Sequence, residues 1–551
     1  MPQDSVSPSP TSESAPASLP GAEALLAQGQ SHWDQRQWPA AALAYLKALG
    51  QDAACGPSIV ARINELGGVL RSAGQLDLAL ACYAAVSRIL PAEAAGYLNM
   101  GAVALALGDQ AGAIACYRQA LERGPDEYFC WLNLAAALNY SDTHGPGEVR
   151  STLQAMDRHL YGAFHVPRAW PEVRDPSRVL RIGYVSPDLR RHAVGSFALP
   201  LIEAHSAQVQ VVCYHCSTHD DDWTQRFRQA CTLWVECAGL DDDALSARIR
   251  ADGIDILIDL AGHTEGNRLG VFARRSAAVQ ASWLGYVTTS GLAAMDYRIT
   301  HDTIDPPGSE SHYTERLVRL PRTVWCWQPL QGMPEVSALP MLHRGYVRFG
   351  SLNRFSKVTP MVLQAWAAIL KSVPQSHLTV CIPQGSVRQR LAQFLTTQGI
   401  DASRIQAFSR LPHDQYWALH SEIDIALDTF PFGGGTTTFE TLWLGVPVVC
   451  CTGSTPAPGQ DKLPGNSFEA RFSSRMGAQF LGSLGLAELA GESVDDHVRI
   501  AVALAHDPAR LQALRAGLRE RMRASPLVDA PQFAADMEAA YRSMWQEHCT
   551  Q

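Results

Sequence analysis

The sequence predicts an α + α/β fold, in which helical repeats are followed by two α/β domains of the nucleotide-binding type. Three observations lead to this prediction. A set of small, aromatic and proline residues recurs at a fixed interval in the first part of the chain. Short apolar strands alternate with helical segments from residue 179 onward, and this alternation starts again at residue 347. A glycine-rich turn, Gly433-Gly434-Gly435, lies between a predicted strand and a predicted helix. Such alternation is typical of a parallel, doubly wound sheet.

The repeats have a period of 34 residues. The recurring residues are Gly67, Gly74, Ala79, Tyr83 and Pro91 in one copy and Gly101, Gly108, Ala113, Tyr117 and Pro125 in the next. An earlier copy matches through Gly29, Ala41 and Tyr45, and a later, degraded copy begins at Trp131. The period resembles that of the tetratricopeptide repeat, a helical hairpin that buries its apolar face by stacking on its neighbours. Such a stack either binds peptides and partner proteins or serves as a structural spacer, and the sequence leaves both roles open.

Composition and charge exclude several classes of protein. The chain has 551 residues, 46% of them hydrophobic, which is enough for several domains with large cores. A net charge of −9 argues against a nucleic-acid-binding protein, which needs a basic surface. The first residues are rich in Ser and Pro and predict a disordered tail rather than a signal peptide. No apolar run approaches the length of a membrane span, so we expect no membrane contact and a cytoplasmic location.

Changes in pattern along the chain divide it into five parts. We predict a disordered tail over 1–20, a repeat domain over 21–145, a linker over 146–178, a first α/β domain over 179–340 and a second over 341–551. In the first α/β domain, strands are predicted over 179–185, 209–214, 254–260, 278–284 and 297–300, with helices over 195–204 and 241–252. In the second, strands are predicted over 347–352, 377–382, 405–408, 423–427 and 446–451, with helices over 360–371, 386–398, 414–420, 438–444 and 531–546.

The glycine-rich turn of the second α/β domain has the composition of a phosphate-binding loop. Glycine lets the backbone approach an anion closely, and a helix N-terminus offers free N–H groups and a favourable dipole. Here Gly434 and Gly435 are followed by Thr436 and Thr437, whose hydroxyls add further donors, and Glu440 is placed to accept hydrogen bonds from ribose hydroxyls. The sequence matches neither the Walker loop nor G-x-G-x-x-G. An ordinary β–α turn that needs glycine for its shape explains the same residues equally well.

Three further loops place polar side chains after predicted strands. His192 follows the first strand, His263 follows the strand that ends at Leu260, and Asn353, Arg354 and Lys357 follow the first strand of the second domain. Ligands of open α/β sheets bind beyond the carboxyl ends of the strands, so these loops are expected to face one cleft. A histidine there suits a general base, and a lysine or arginine suits a phosphate contact. Each residue taken alone is equally consistent with a surface or loop-stabilising role.

These motifs occur in one order that resembles a known family. The matching segments are Tyr184-Val185-Ser186-Pro187-Asp188 with His192, Asp259-Leu260-Ala261-Gly262-His263-Thr264, Gln280-Ala281-Ser282-Trp283-Leu284-Gly285-Tyr286, Asn353 to Lys357, and Asp428 to Glu440. Together with the repeats, they are similar to the protein O-linked N-acetylglucosamine transferase family, which includes the plant SPINDLY proteins and bacterial cytoplasmic N-glycosyltransferases. The resemblance covers the chain from residue 23 to its end and points to the bacterial branch.

The resemblance implies a GT-B fold, with a sugar nucleotide bound between two Rossmann-like domains. It places Lys357 against the pyrophosphate, Thr436 and Thr437 on phosphate at the helix N-terminus and Glu440 on the ribose. It also places His192 near acceptor and sugar, as a base or positioning group, and His263 along the same cleft. Two residues depart from the animal enzyme: Arg354 stands where that enzyme has Gln, and Gly435 where it has His.

The expected function is inverting transfer of a sugar to a protein, with N-acetylglucosamine from UDP-GlcNAc and Ser or Thr as the first choice. UDP-glucose transfer to Asn and GDP-fucose transfer remain open, as does an inactive, nucleotide-binding interaction protein. We expect no cofactor and no required metal; the acidic runs Asp220-Asp221-Asp222 and Asp241-Asp242-Asp243 are interpreted as loop or helix-start charges. Acceptor proteins and a nucleotide sugar are the expected partners, and a homo-oligomer is left open.

Overall fold

The computed structural model describes residues 20–165, 175–455 and 467–550. Nearly all of the predicted tail, and residues 166–174 of the predicted linker, lie outside the described residues. The chain forms two compact units, one ending at Pro91 and one beginning at Ala92. No helix among the described residues is both long enough and apolar enough to cross a membrane.

The first unit consists of two helical hairpins. They are formed by α1 (Ala22–Asp34) with α2 (Trp38–Gln51) and by α3 (Gly56–Ser72) with α4 (Leu76–Ile89). In each hairpin a glycine of the first helix lies against a tyrosine of the second. A Cβ atom on Gly29 would come within 2.7 Å of the Tyr45 ring, and one on Gly67 within 2.6 Å of the Tyr83 ring. The repeated Gly and Tyr therefore mark the helix crossing, as the 34-residue pattern predicts.

The second unit begins with two more hairpins of the same kind. They comprise α5 (Ala94–Ala106), α6 (Gln110–Arg123), α7 (Tyr128–Tyr140) and α8 (Pro146–Met156). Gly101 meets Tyr117 in the same manner, with a Cβ-to-ring distance of 2.5 Å. Alanine and leucine side chains of α6, α7 and α8 form one buried core, which includes Ala113, Leu134, Ala135, Leu138 and Leu153. Helix α8 and the π-helical turn Asp157–Tyr161 that follows it lie within the stretch that the sequence predicts as a linker.

A seven-stranded, wholly parallel sheet follows, in the order β3-β2-β1-β4-β5-β6-β7. Its elements are β1 (Leu180–Ser186), α9 (Ala193–Ala204), β2 (Val209–His215), α10 (Asp222–Ala230), β3 (Leu233–Glu236), α11 (Asp242–Ala251), β4 (Ile256–Asp259), α12 (Leu269–Ala273), β5 (Val279–Ser282), β6 (Tyr297–Thr300) and β7 (Arg316–Arg319). The sequence prediction lacks α10, α12, β3 and β7. The two missed strands are the edge strands, which are only partly buried and so carry no continuous apolar run.

The acidic runs of this domain begin helices, as interpreted from the sequence. The Asp221 carboxylate accepts hydrogen bonds from the backbone N–H groups of Trp223 (2.9 Å) and Thr224 (3.0 Å) at the start of α10. The Asp241 carboxylate accepts one from Ala244 (2.8 Å) at the start of α11. Aspartate at these positions satisfies N–H groups that have no partner within the helix.

A second parallel sheet has the order β10-β9-β8-β11-β12-β13. Its elements are α13 (Met341–Arg344), β8 (Arg348–Ser351), α14 (Pro360–Ser372), β9 (His377–Cys381), α15 (Ser386–Thr397), β10 (Ile405–Phe408), α16 (His413–Leu419), β11 (Ile425–Leu427), α17 (Thr436–Trp443), β12 (Val448–Cys451), α18 (Phe472–Ser483), β13 (Ala490–Gly491), α19 (Val494–Ala505) and α20 (Pro508–Arg523). The final helix, α21 (Ala530–Thr550), returns to the first sheet and packs on α9 and β5. The Asp529 carboxylate caps this helix by accepting a hydrogen bond from the backbone N–H of Gln532 at 3.2 Å.

Candidate active site

The carboxylate of Asp428 organises the glycine-rich loop. Asp428 directly follows β11 and is buried. Its Oδ1 accepts hydrogen bonds from the backbone N–H groups of Gly434 (2.8 Å) and Thr429 (2.9 Å) and from Nδ2 of Asn353 (2.9 Å). One carboxylate therefore ties the loop after β11 to the loop after β8. Asp428 has no role in the sequence-based prediction, although a single acidic residue between an apolar strand and a glycine run marks its position.

Lys357 lies between these two loops. Its Nζ donates a hydrogen bond to the carbonyl of Gly433 (2.7 Å), lies 3.5 Å from Oδ1 of Asn353, and sits 4.5 Å from the centre of the Phe432 ring. Burial lowers the pKa of Lys357 to about 8, while the nearby Asp428 carboxylate opposes the shift. Because pH 7 is below this pKa, most Lys357 side chains are protonated and positively charged at neutral pH. The site holds a fixed cation next to the glycine loop.

Helix α17 begins at this cation. Its N-cap is Gly435, and no side chain caps the helix. The backbone N–H groups of Thr436 and Thr437 have no acceptor among the described residues, as is usual in a first helical turn. A Cβ atom on Gly434 would lie 2.3 Å from the hydroxyl oxygen of Thr438, so a larger residue there would require a shift, whereas a Cβ atom on Gly435 would meet open space. The uncapped start of α17 therefore directly follows the loop whose Gly433 carbonyl holds the ammonium group.

Glu440 lies one turn further along α17 and is buried, with 5% of its surface exposed. Burial raises the pKa of its carboxyl to about 7. The carboxyl lies beside the aromatic side chains of Tyr416 and Trp417 from α16. These two aromatic residues are absent from the predicted site, because nothing in the sequence distinguishes them from the aromatic residues of an ordinary helix.

His192 is the N-cap residue of α9, at the carboxyl end of β1. Its Nδ1 lies 3.3 Å from the backbone N–H of Val194 and 3.4 Å from the carboxylate of the buried Asp188. Nδ1 either accepts from Val194 or donates to Asp188. Only the second arrangement leaves Nε2 unprotonated and able to act as a base. Which of these two hydrogen bonds Nδ1 forms therefore determines whether His192 caps α9 or can act as a base.

Arg354 connects the two sides of the site electrostatically. Burial is the main cause that lowers the pKa of His192, and the charges of Arg190 and Arg354 lower it further. The same Arg354 charge contributes to the lowered pKa of Lys357. Since His192 follows a strand of the first sheet and Lys357 a strand of the second, the charge of Arg354 acts on one candidate residue from each sheet domain.

His263 has a different environment from His192. Its Nε2 lies 2.8 Å from the carbonyl of Ser290 and donates to it, and its Nδ1 lies 3.2 Å from the hydroxyl of Tyr128 in α7. That hydroxyl in turn accepts a hydrogen bond from Asn267 at 3.1 Å. Burial lowers the pKa of His263 to about 4, so the ring is neutral. With both nitrogens engaged, His263 joins its loop to α7, and its place in the catalytic set stays a prediction.

Comparisons with known proteins agree with this architecture. The model of glycosyl transferase family 41 matches residues 163–337 and 340–537. A probable UDP-N-acetylglucosamine–peptide N-acetylglucosaminyltransferase SPINDLY of Petunia hybrida is 38% identical over 439 residues, which is 78% of this chain and 45% of that protein. The Arabidopsis thaliana protein of the same name is 39% identical over 391 residues, 69% of this chain and 41% of that one. This chain thus spans less than half the length of these relatives.

A solved structure of a mutant of the Thermobaculum terrenum O-GlcNAc transferase has a TM-score of 0.81 at 33% identity. The alignment covers 96% of this chain and 98% of that one. This similarity and the two parallel sheets confirm the GT-B fold expected from the resemblance. Because the family model matches both sheet domains, the chain belongs to glycosyl transferase family 41.

Proposed function

We propose that the chain is an inverting protein glycosyltransferase that moves N-acetylglucosamine from UDP-GlcNAc to Ser or Thr of a polypeptide. The observation that carries the proposal is the position of Lys357, whose ammonium lies 2.7 Å from the Gly433 carbonyl at the uncapped start of α17. A cation beside free helix amides is a site for a diphosphate. The names of the two SPINDLY relatives, which specify UDP-N-acetylglucosamine and a peptide, support the choice of donor and of a peptide acceptor.

In this proposal the bond between the anomeric carbon and the diphosphate oxygen breaks as the acceptor oxygen attacks from the opposite face. Negative charge grows on the diphosphate, and Lys357 with the amides of Thr436 and Thr437 stabilises it. Asn353 and the backbone of Gly434 hold the two loops in place through their hydrogen bonds to Asp428. The backbone of Gly435 completes the glycine loop at the N-cap of α17.

In this proposal one residue takes the acceptor proton and other residues bind the nucleotide. The hydroxyl proton passes to Nε2 of His192, with Nδ1 donating to Asp188. Glu440 holds the ribose, and Arg354 contacts phosphate. No cofactor or metal is invoked, because Lys357 and the helix amides supply the positive charge. The repeats and the cleft present the acceptor polypeptide.

A thermal-shift screen tests the donor assignment. The purified chain is heated with UDP, UDP-GlcNAc, UDP-glucose, GDP or GDP-fucose, and each binding ligand raises the melting temperature. Binding at a hundredfold excess over Kd stabilises the native state by about 2.7 kcal/mol. The expected result is a shift with UDP and UDP-GlcNAc. If UDP-glucose is the only nucleotide sugar that raises the melting temperature, or if GDP and GDP-fucose raise it, the proposed donor UDP-GlcNAc is wrong. If no ligand raises it, the chain is better explained as an interaction protein.

A transfer assay tests the acceptor assignment. Labelled sugar from the donor chosen by the screen is offered with peptides that contain Ser, Thr or Asn, and the product is mapped by mass spectrometry. The proposal expects label on Ser or Thr oxygen in the β configuration. Label on Asn nitrogen would move the chain to the N-glycosyltransferase alternative.

A further inference from the structure

The turn between α5 and α6 contacts the segment that carries Lys357. Gln110, the first residue of α6, is buried with 6% exposure. Its side-chain amide donates hydrogen bonds to the carbonyls of Ser356 (2.9 Å) and Val358 (3.0 Å), the residues on either side of Lys357. One repeat side chain thus holds the backbone of the lysine-bearing turn at two points.

Packing in the same turn reinforces these hydrogen bonds. Gly108 has a φ of +76°, and a Cβ atom there would lie 2.7 Å from the ring of Phe355. Phe355 is buried and begins the 3-10 turn that ends at Lys357. The absence of a side chain on Gly108 therefore lets the repeat turn approach the lysine-bearing turn closely.

A second repeat contact reaches the other loop that fixes Lys357. The ring of Tyr140, the last residue of α7, packs on the ring of Phe432 with 4.6 Å between centroids. Phe432 directly precedes Gly433, whose carbonyl accepts the hydrogen bond from Lys357. Both loops around the ammonium group are therefore held by repeat helices.

Gln110 is also unusual within its own repeat. The first residues of α2 and α4, which occupy the corresponding places in the earlier hairpins, are the apolar Trp38 and Leu76. In the third hairpin, which contacts the second sheet domain, the corresponding place holds the buried amide of Gln110 instead. Its two side-chain donors in this position serve carbonyls of that domain.

We propose that Gln110 is a positioning residue for Lys357, so that the third helical hairpin is a working part of the diphosphate site. The proposal rests on the diphosphate role of Lys357 proposed above. Gln110 touches no substrate; it acts by fixing the turn from which the ammonium group projects. Loss of its hydrogen bonds leaves two carbonyls without donors and lets the turn move, so that Lys357 meets the diphosphate in fewer of the enzyme's conformations.

The pH dependence of binding reports the position of Lys357. The groups that face the ammonium are the carboxylate of Asp428, the guanidinium of Arg354 and the ring of Phe432. In the native enzyme burial holds the pKa of Lys357 at about 8, so UDP affinity should fall as pH rises above 8. A loosened turn exposes the ammonium to water and raises its pKa. The alkaline decline in affinity then moves to higher pH while affinity at pH 7 weakens.

The test uses the full chain and two variants with nearly unchanged side-chain volume. Gln110→Met removes both donors, and Gln110→Glu replaces the amide by a group that cannot donate when ionised. The matched control is Gln119→Met on the same helix, where the amide donates to Glu122 instead. UDP affinity is measured by calorimetry from pH 6 to 9.5, kcat and KM are measured in the transfer assay, and melting temperature monitors folding. Lys357→Met serves as the reference for a lost ammonium.

We expect both Gln110 variants to bind UDP about tenfold more weakly at pH 7, to lose about tenfold in kcat and to shift the alkaline decline upward, while Gln119→Met behaves as wild type. Native-like melting with unchanged affinity and pH profile in either Gln110 variant would overturn the proposal. If Gln110→Met does not fold, the Gln110→Glu and Gly108→Ala variants decide by the same criteria. If Lys357→Met itself binds UDP normally, the proposed function fails instead, which separates the two failures.

Discussion

Lys357 depends on its neighbours for both its position and its charge. Its ammonium is fixed by the Gly433 carbonyl, and its pKa of about 8 results from burial opposed by the Asp428 carboxylate. The lysine is therefore charged over most of the neutral range, and modest changes around it alter the charged fraction. This sensitivity makes it the residue on which the proposed mechanism is most easily tested.

Replacement of Lys357 by alanine should lower kcat by about a hundredfold or more, because the leaving diphosphate loses its nearest cation. The fold should persist, since the side chain makes few contacts that hold elements together. Transfer rate and melting temperature check both statements. The control is Lys371→Ala, which removes an exposed ammonium that donates to Gln398 at the end of α15. Turnover at the wild-type rate in Lys357→Ala would exclude the mechanism.

Asp428→Asn should move the alkaline decline of UDP binding to lower pH by about one unit. The asparagine oxygen can still accept from the loop amides, so the loop keeps its shape, but the negative charge that raises the pKa of Lys357 is gone. Lys357 then loses its proton at a lower pH, and affinity near pH 8 falls. Calorimetry across pH measures the shift. An unmoved decline would mean that another group titrates.

At the scale of elements, the C-terminal helix α21 is held to the first sheet domain by a polar network. The Glu538 carboxylate accepts hydrogen bonds from Nδ1 of His205 (2.9 Å) and from the backbone N–H (2.7 Å) and hydroxyl (2.7 Å) of Ser206. The hydroxyl of Tyr184 lies 2.7 Å from Nε2 of His205 and 3.0 Å from the hydroxyl of Tyr541. The network joins the last helix of the chain to β1 and α9.

Glu538→Gln should lower the free energy of unfolding by about 2 kcal/mol at pH 7. Burial disfavours the ionised carboxyl, but the hydrogen bonds from His205 and Ser206 outweigh it and lower the pKa of Glu538 to about 2. A depressed carboxyl pKa stabilises the fold above the ordinary value of about 4.3 and ceases to do so as pH falls toward 2.

Thermal melting between pH 3 and 7 checks this prediction. Wild type should lose stability faster than Glu538→Gln below pH 4.5, so that the two curves approach each other in acid. Glu488→Gln is the control, because that carboxylate forms an exposed ion pair with Arg510. Parallel curves over the whole range would contradict the assignment of the depressed pKa to Glu538.

At the scale of the whole molecule, one buried arginine joins the repeats of the second unit to the second sheet domain. Arg471 precedes α18 and is 3% exposed. Its guanidinium donates to carbonyls at the end of α7 and in the following turn, at 3.5 Å from Leu138, 3.4 Å from Asn139, 3.4 Å from Ser141 and 2.6 Å from His144. A cation at a helix C-terminus also interacts favourably with the helix dipole.

Arg471→Met should lower the free energy of unfolding by about 3 kcal/mol, because buried carbonyls lose charged donors. It should also weaken UDP binding, since Tyr140 at the end of α7 packs on the loop that holds Lys357. Denaturant titration and calorimetry measure the two effects. Arg499→Met, which removes an exposed arginine paired with Asp496, should change stability by less than about 0.5 kcal/mol. Equal effects in both variants would remove the special role of Arg471.

Much of the fold was predictable because its signals are local. The repeated glycine and tyrosine meet within each of the first three hairpins, and strands such as β11 and β12 are continuous, buried apolar runs. The edge strands β3 and β7 were missed because one-sided burial weakens that pattern. The glycine loop, Lys357 and His192 were selected as candidates from their positions after strands, and their roles stay predictions. Asp428, Gln110 and Tyr140 were not given roles, because each has a partner that is distant in sequence, namely Asn353, Val358 and Phe432 in that order.

The sequence by itself determined the repeat period, the strand–helix alternation and the types of side chain available at the strand ends. These depend on residues that lie within a few turns of one another. Only the tertiary structure decided which of those side chains converge. It brought Lys357 to the Gly433 carbonyl, enclosed His263 between Ser290 and Tyr128, and set Gln110 behind the lysine-bearing turn. The physical reason is that hydrogen bonds and burial depend on distance in space, which a linear pattern does not record.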